Sequence, residues 1–150
     1  WDKIPLANKL DHKNINLNID GKVYTNGFGL NVGNPHIIFF VRDCFKYDLK
    51  ILGPKIENHE LFPEKTNVTF AQIDDQNNIR VNVWERGAGL TKACGTAACA
   101  TAVAAFIKKL TKNNINIKFK QGVLNIKIDE NLNIFMTGSV SNVENIKIEI

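Results

Sequence analysis

A thiol, a carboxylate and a guanidinium lie within ten residues of one another in the stretch Trp84-Glu85-Arg86-Gly87-Ala88-Gly89-Leu90-Thr91-Lys92-Ala93-Cys94-Gly95-Thr96. Ahead of it, Ile79, Val81 and Val83 alternate with Arg80 and Asn82, which predicts a strand from Ile79 to Trp84. Gly87 and Gly89 then give the backbone the freedom a tight turn requires. Behind it, an alanine-rich run continues to about Leu110 and predicts a helix with its N-cap near Gly95 or Thr96. Cys94 therefore falls at a helix mouth, where unpaired N–H groups and the helix dipole favour negative charge. Such a thiol is expected to ionise more easily than a free one. The N–H groups of Gly95 and Thr96 offer a cradle for a carboxylate or phosphate. A lone cysteine here could equally be a buried structural residue. The acid-base pair Glu85-Arg86, returned toward Cys94 by the glycine turn, favours chemistry.

A second stretch, Asn31-Val32-Gly33-Asn34-Pro35-His36, forms a turn leading into the apolar strand Ile37-Ile38-Phe39-Phe40-Val41. His36 enters that strand from a loop, and by itself it reads as a satisfied structural histidine. Asn67, ahead of a strand running to Ile73, could by itself be a plain turn residue.

Composition bounds these readings. The 150 residues carry 44% hydrophobic and 23% charged side chains, those of one globular domain long enough to bury a core. No run approaches the roughly 20 apolar residues of a membrane helix, and no membrane partner is expected. The net charge of +4 is spread among acids rather than gathered in a patch, which argues against nucleic acid. Three cysteines, Cys44, Cys94 and Cys99, make no disulfide framework and fit no metal knuckle, so a reducing cytoplasm without a bound metal is expected. The chain opens on Trp1 and has Met136 as its single methionine, as expected of a piece of a longer protein.

The positioning elements follow from periodicity. Ile15, Leu17 and Ile19 alternate with polar residues, and Asp20-Gly21 signals a hairpin into a second strand from Lys22 to about Tyr24. Gly27 and Gly29 are expected to loosen the chain before Asn31. Tyr47 to His59 has helical spacing, with Leu49, Leu52 and Ile56 toward a core. Ile115, Ile117 and Phe119 predict a strand, Val123 to Ile128 its hairpin partner, Ile134 to Gly138 another strand, and Ile146, Ile148 and Ile150 a last one. The fold class expected is α+β, a mixed and mostly antiparallel sheet curled around a hydrophobic central helix.

The stretch ERGAGLTKACGTAAC resembles the second cysteine motif of the diaminopimelate epimerase family, cofactor-independent enzymes of bacterial lysine and cell-wall precursor synthesis. Gly33-Asn34-Pro35-His36, Leu52-Gly53-Pro54, Glu57-Asn58-His59, Phe62-Pro63 and Met136-Thr137-Gly138 are similar to further family motifs. Leu90, Ala97 and Ser139 depart from the residues common there. The resemblance implies the C-terminal half of a two-domain fold, with residues 1–138 as the domain. Residues 139–150 would be a terminal strand crossing toward an N-terminal half. It implies Cys94 as one of two proton-transfer thiols, assisted by Glu85, which also contacts substrate. His36 would support the other thiol. Gly95 and Thr96 would hold the reacting carboxylate, Arg86 and Asn67 the distal one, with Asn34 also on the substrate. Neither Cys44 nor Cys99 has the Cys-Gly-Asn context of the family's first cysteine. The partners implied are diaminopimelate, the enzyme's own N-terminal half and, with room left for it, a second copy in a homodimer; no cofactor is implied. A proline racemase or phenazine-pathway isomerase on the same fold fits the Glu-Arg-Gly-Ala-Gly turn less well. A non-catalytic amino-acid or dicarboxylate binding module using the same helix mouth is the competing class.

Overall fold

The computed structural model describes residues 1–140. Among them are nine strands and two helices: β1 (Ile15–Ile19), β2 (Lys22–Asn31), β3 (Pro35–Phe40), α1 (Leu49–Glu57), β4 (Asn67–Asp75), β5 (Asn78–Glu85), β6 (Gly89–Leu90), α2 (Gly95–Ile107), β7 (Asn114–Phe119), β8 (Gly122–Ile128) and β9 (Ile134–Gly138). The strands make one sheet in the order β1-β2-β3-β4-β5-β7-β8-β9, with β6 paired to β5. Two pairings are parallel, β3 with β4 and β5 with β7, and the rest are antiparallel. A parallel neighbour needs a crossover, and α1 and α2 lie in those two connections.

The crossovers put one helix on each face of the sheet. α2 packs against β2, β3 and β4 as well as β7, β8 and β9, so the sheet curls around it as expected. Ala97, Ala98, Ala100, Ala102, Ala104 and Ala105 are fully buried. These small side chains keep the helix thin enough to be enclosed, and they leave no polar face to solvate. The helix stops at Ile107 rather than near Leu110. Lys109 takes a left-handed φ of 58°. Leu110 N–H then bonds Ala105 O and Lys109 N–H bonds Phe106 O, which caps the last turn.

α1 packs on the other face, against β1, β4, β5 and β6. Central strands are therefore apolar on both sides: Ile37 and Phe39 join Leu49, Leu52 and Ile56, while Ile38 joins the α2 core. The Trp84 indole rests against Gly53, where a Cβ would stand 2.4 Å from the ring, so only glycine lets α1 settle there.

The hairpin at Asp20-Gly21 forms with φ of 52° and 81°, the double positive-φ turn that suits strand twist. Strand β2, however, runs unbroken from Lys22 to Asn31, through the glycines expected to loosen it. Their role is close approach: a Cβ on Gly27 would meet Phe39 at 2.8 Å and one on Gly29 would meet Ile15 at 2.8 Å. The irregularity falls at Asn26, with φ of 60°, opposite the register shift in β1. The segment before β1 has no regular element but is tied down, with Ile4 buried and Asn31 N–H bonded to Trp1 O. The last predicted strand, over Ile146, Ile148 and Ile150, and all but the first two residues of the crossing segment 139–150 lie outside the described residues. No helix among the described residues is long and apolar enough to cross a membrane, which says nothing of β-barrels.

Candidate active site

Side chains alternate across a strand, and that alternation sorts the key residues. On β5, Ile79, Val81 and Val83 face α2, so Glu85 faces α2 as well, while Trp84 faces α1. On β3, His36 shares its face with Ile38, toward α2, and pairs in register with Asn67 of β4. The start of β3, the start of β4, the end of β5 and the mouth of α2 thus converge.

At that mouth Cys94 is itself the N-cap, one residue before the position expected for it. Its backbone is extended (φ −148°, ψ 112°), and Sγ accepts from Ala97 N–H at 3.4 Å. Thr96 Oγ1 lies 3.5 Å from the same sulfur. The hydroxyl also accepts from Asn34 Nδ2 at 3.4 Å, and Asn34 Oδ1 accepts from His36 Nε2 at 2.9 Å. A continuous polar chain, His36–Asn34–Thr96–Cys94, therefore joins the two motifs. The Met136 thioether lies beside Gly95, 3.2 Å from where a Cβ would stand.

The thiol does not ionise more easily, as the helix mouth alone had implied. Its pKa is raised. Burial dominates, with only 6% of Cys94 exposed. The bonds from Thr96 and Ala97 pull the pKa down, and the Glu85 carboxylate beside the thiol pushes it up again. Cys94 at rest is a protonated thiol with a carboxylate next to it. Cys44 is fully buried in the α1 core, and its pKa is raised to about 11. Cys99, within α2, is also raised by burial.

His36 is fully buried, and burial, with a smaller push from the Arg86 charge, lowers its pKa to about 3. Its ring is neutral, with the proton on Nε2 toward Asn34. Nδ1 is buried with no hydrogen-bond partner among the described residues. As pH falls below the ordinary histidine value of 6.5, the unfolded chain takes up this proton and the folded chain does not until about pH 3. Stability contributed by the neutral ring is complete above pH 6.5 and drains away through that window, by up to about 1.4 kcal/mol per pH unit. His36→Gln keeps a donor for Asn34 and is expected to flatten the loss of denaturation midpoint between pH 6.5 and 4. Parallel wild-type and variant curves would show that His36 is not the group responsible.

Asn67 is 3% exposed and faces inward. Its Nδ2 donates to Pro35 O at 2.8 Å and its Oδ1 accepts from Arg86 N–H at 2.9 Å, so it braces the two motifs against each other. Arg86 is exposed, and its Nη1 donates to Glu64 O at 2.8 Å. Gly87 and Gly89 have the positive φ the turn demands, 77° and 89°, and Ala88 N–H closes it on Glu85 O. One further member stands in the motif Glu57-Asn58-His59, to which the sequence assigned no role. Glu57, at the end of α1 and 5% exposed, accepts from Trp84 Nε1 at 2.7 Å and from Gly87 N–H at 3.1 Å. The signal for it was an acid in helical step with Leu49 and Gly53, on the buried face of α1.

The sequence matches the family described as diaminopimelate epimerase over residues 28–143. It is 54% identical to the diaminopimelate epimerase of Pelagibacter ubique (strain HTCC1062), over 100% of this chain and 56% of that relative. It is 46% identical to that of Afipia carboxidovorans, over 93% of this chain and 50% of that relative. The diaminopimelate epimerase of a Wolbachia from Drosophila simulans is 40% identical, over 93% and 52%. A solved Bacillus anthracis phenazine biosynthesis protein of the PhzF family overlaps with a TM-score of 0.49 and 23% identity, over 71% of this chain and 34% of that one. The chain spans about half the length of the curated relatives it matches. With the family matched across most of its length and the two motifs joined by one polar chain, this sequence belongs to the diaminopimelate epimerase family.

Proposed function

We propose that this chain is the half of a bacterial, cytoplasmic diaminopimelate epimerase that carries one of two proton-transfer thiols. The observation that supports it most is the chain from His36 through Asn34 and Thr96 to Cys94 Sγ at the mouth of α2. Epimerisation breaks the C–H bond at an amino-acid α-carbon and forms a new one on the opposite face. With no electron sink, two features lower that barrier: a base and an acid on opposite faces, and fixed donors where negative charge grows.

In this reading the reacting carboxylate lies on the N–H groups of Gly95 and Thr96, the first of α2. As the α-proton leaves, charge moves onto that carboxylate, where the helix N-terminus stabilises it. Cys94 acts as the acid in one direction, giving its thiol proton to the α-carbon. In the other it acts as the base, after handing its proton to Glu85. The burial that raises its pKa suits the first role, and the neighbouring carboxylate serves the second. Arg86 holds the distal carboxylate, with Asn67 fixing the Arg86 backbone and Asn34 lining the substrate. A second thiol, on the opposite face of the α-carbon, comes from an N-terminal half of the same enzyme, and His36 supports it. Two full-length copies form a homodimer.

The full-length enzyme should interconvert LL- and meso-diaminopimelate, as read by chiral analysis of the product. Arg86→Lys keeps the charge but loses the planar fork that bonds a carboxylate twice. It is expected to lower kcat/KM by about 10- to 100-fold, a loss of paired charge-assisted bonds. An Arg86→Lys enzyme that works at the parent's rate would remove Arg86 from the substrate. A full-length enzyme that binds diaminopimelate without inverting it would favour the binding-module class instead.

A further inference from the structure

The carboxylate of Glu57 spans a turn. One oxygen accepts from Trp84 Nε1 and the other from Gly87 N–H, so its two bonds fall on either side of Glu85-Arg86. Both partners only donate, and the carboxylate offers each of them an oxygen of its own. The bonds are charge-assisted and shielded from water, since Glu57 is 5% exposed. The side chain reaches the turn from beneath, off the last turn of α1, on the face of the sheet opposite α2. Trp84 cannot move without Gly87, and Glu85 lies between them. A second anchor, Asn67 Oδ1 on Arg86 N–H, holds the next peptide.

We propose that Glu57 is a positioning residue for proton transfer: by holding Trp84 and Gly87 together from the α1 side, it fixes Glu85 against Cys94 on the α2 side. The proposal rests on the functional reading above for its effect on turnover, but its geometry can be tested independently. Glu57 does not act on the thiol directly, because it lies on the α1 face of the sheet and Cys94 on the α2 face. The amide of Glu57→Gln would set an NH2 group against one of the two N–H donors and open the turn. Glu85 would then swing into water, and the Cys94 thiol would titrate lower.

The test is the pH dependence of Cys94 alkylation in the full-length enzyme, mapped by mass spectrometry, for Glu57→Gln, Glu85→Gln and the double variant. Glu57→Gln is expected to lower the Cys94 midpoint by about one pH unit, the scale of a neighbouring charge removed. Glu85→Gln should lower it similarly, and the double variant no further than Glu85→Gln, since the two act through one group. The turnover of Glu57→Gln should fall by about 10- to 100-fold, as expected of a misplaced proton-transfer group. An unchanged Cys94 midpoint in folded Glu57→Gln enzyme, with only a lower melting temperature, would overturn the proposal and leave Glu57 a tie between α1 and β5. Shifts that add in the double variant would overturn it too. If Glu57→Gln does not fold, Trp84→Phe takes its place. It removes one donor and keeps the Glu57 charge; it must lower the midpoint as well, and an unchanged midpoint counts against the proposal. Should the unmodified full-length enzyme invert no diaminopimelate, the functional reading fails, and the alkylation series alone decides the role of Glu57.

Discussion

Cys94→Ser in the full-length enzyme is expected to cost on the order of a thousandfold in inversion, the range of a positioned acid-base group, while leaving the fold intact. The comparison separates chemistry from capping. Sγ is the N-cap acceptor for Ala97 N–H, and removing such a cap costs about 1 kcal/mol. A serine hydroxyl is a better cap than a thiol, so α2 and its enclosing sheet should keep their stability. The hydroxyl cannot serve as a base at the same site, because it ionises far less readily than even the raised thiol. Cys94→Ala gives the complementary result, with the cap lost and the chemistry lost together. In deuterated water either variant should still exchange the α-proton of one stereoisomer. The remaining thiol can remove and return a proton on its own face, with retention. Exchange without inversion, limited to one stereoisomer, is the expected signature. Inversion by Cys94→Ser at the parent's rate would show that the acid on this face is another group.

Much of this arrangement could be read from residues in order, and the limits have physical causes. Local alternation carries strands, and Ile15, Leu17 and Ile19 are buried with polar residues exposed between them. Turn chemistry holds equally well, because Asp20-Gly21 and Gly87 to Gly89 need backbone angles that few residues adopt. The mixed sheet around an apolar helix follows from the alanine run, which has no face to give to water. The direction of the Cys94 pKa was misjudged because a helix N-terminus is a local feature, whereas burial and the Glu85 charge come from a sheet folded over it. Gly27 and Gly29 misled for the same reason: Phe39 and Ile15, which need the space, are distant in sequence. Asn67 reads as a ligand by resemblance. In the fold both ends of its amide bond the backbone, of Pro35 and of Arg86, so it braces the Arg86 turn against the start of β3, which the resemblance did not imply. The role of Glu57, named only within a motif, was not legible because its partners belong to a turn 27 and 30 residues on.

The 150-residue chain alone should invert no diaminopimelate, although it holds Cys94, Glu85 and the helix mouth together. Inversion requires a proton delivered to the face opposite the one it left. Among the described residues, Cys94 is the thiol at the mouth; Cys44 is sealed in the α1 core and Cys99 sits further along α2. The arrangement is also open. Thr96 and Arg86 are exposed, so water competes for the donors on which the developing charge depends. The measurement is incubation of separate stereoisomers in deuterated water with chiral analysis, beside the full-length enzyme and a Cys94→Ala chain as blank. Slow exchange with retention at one stereoisomer is the most the chain should achieve. Steady inversion, absent from the blank, would mean that a second acid lies within these residues and that the two-thiol reading is wrong.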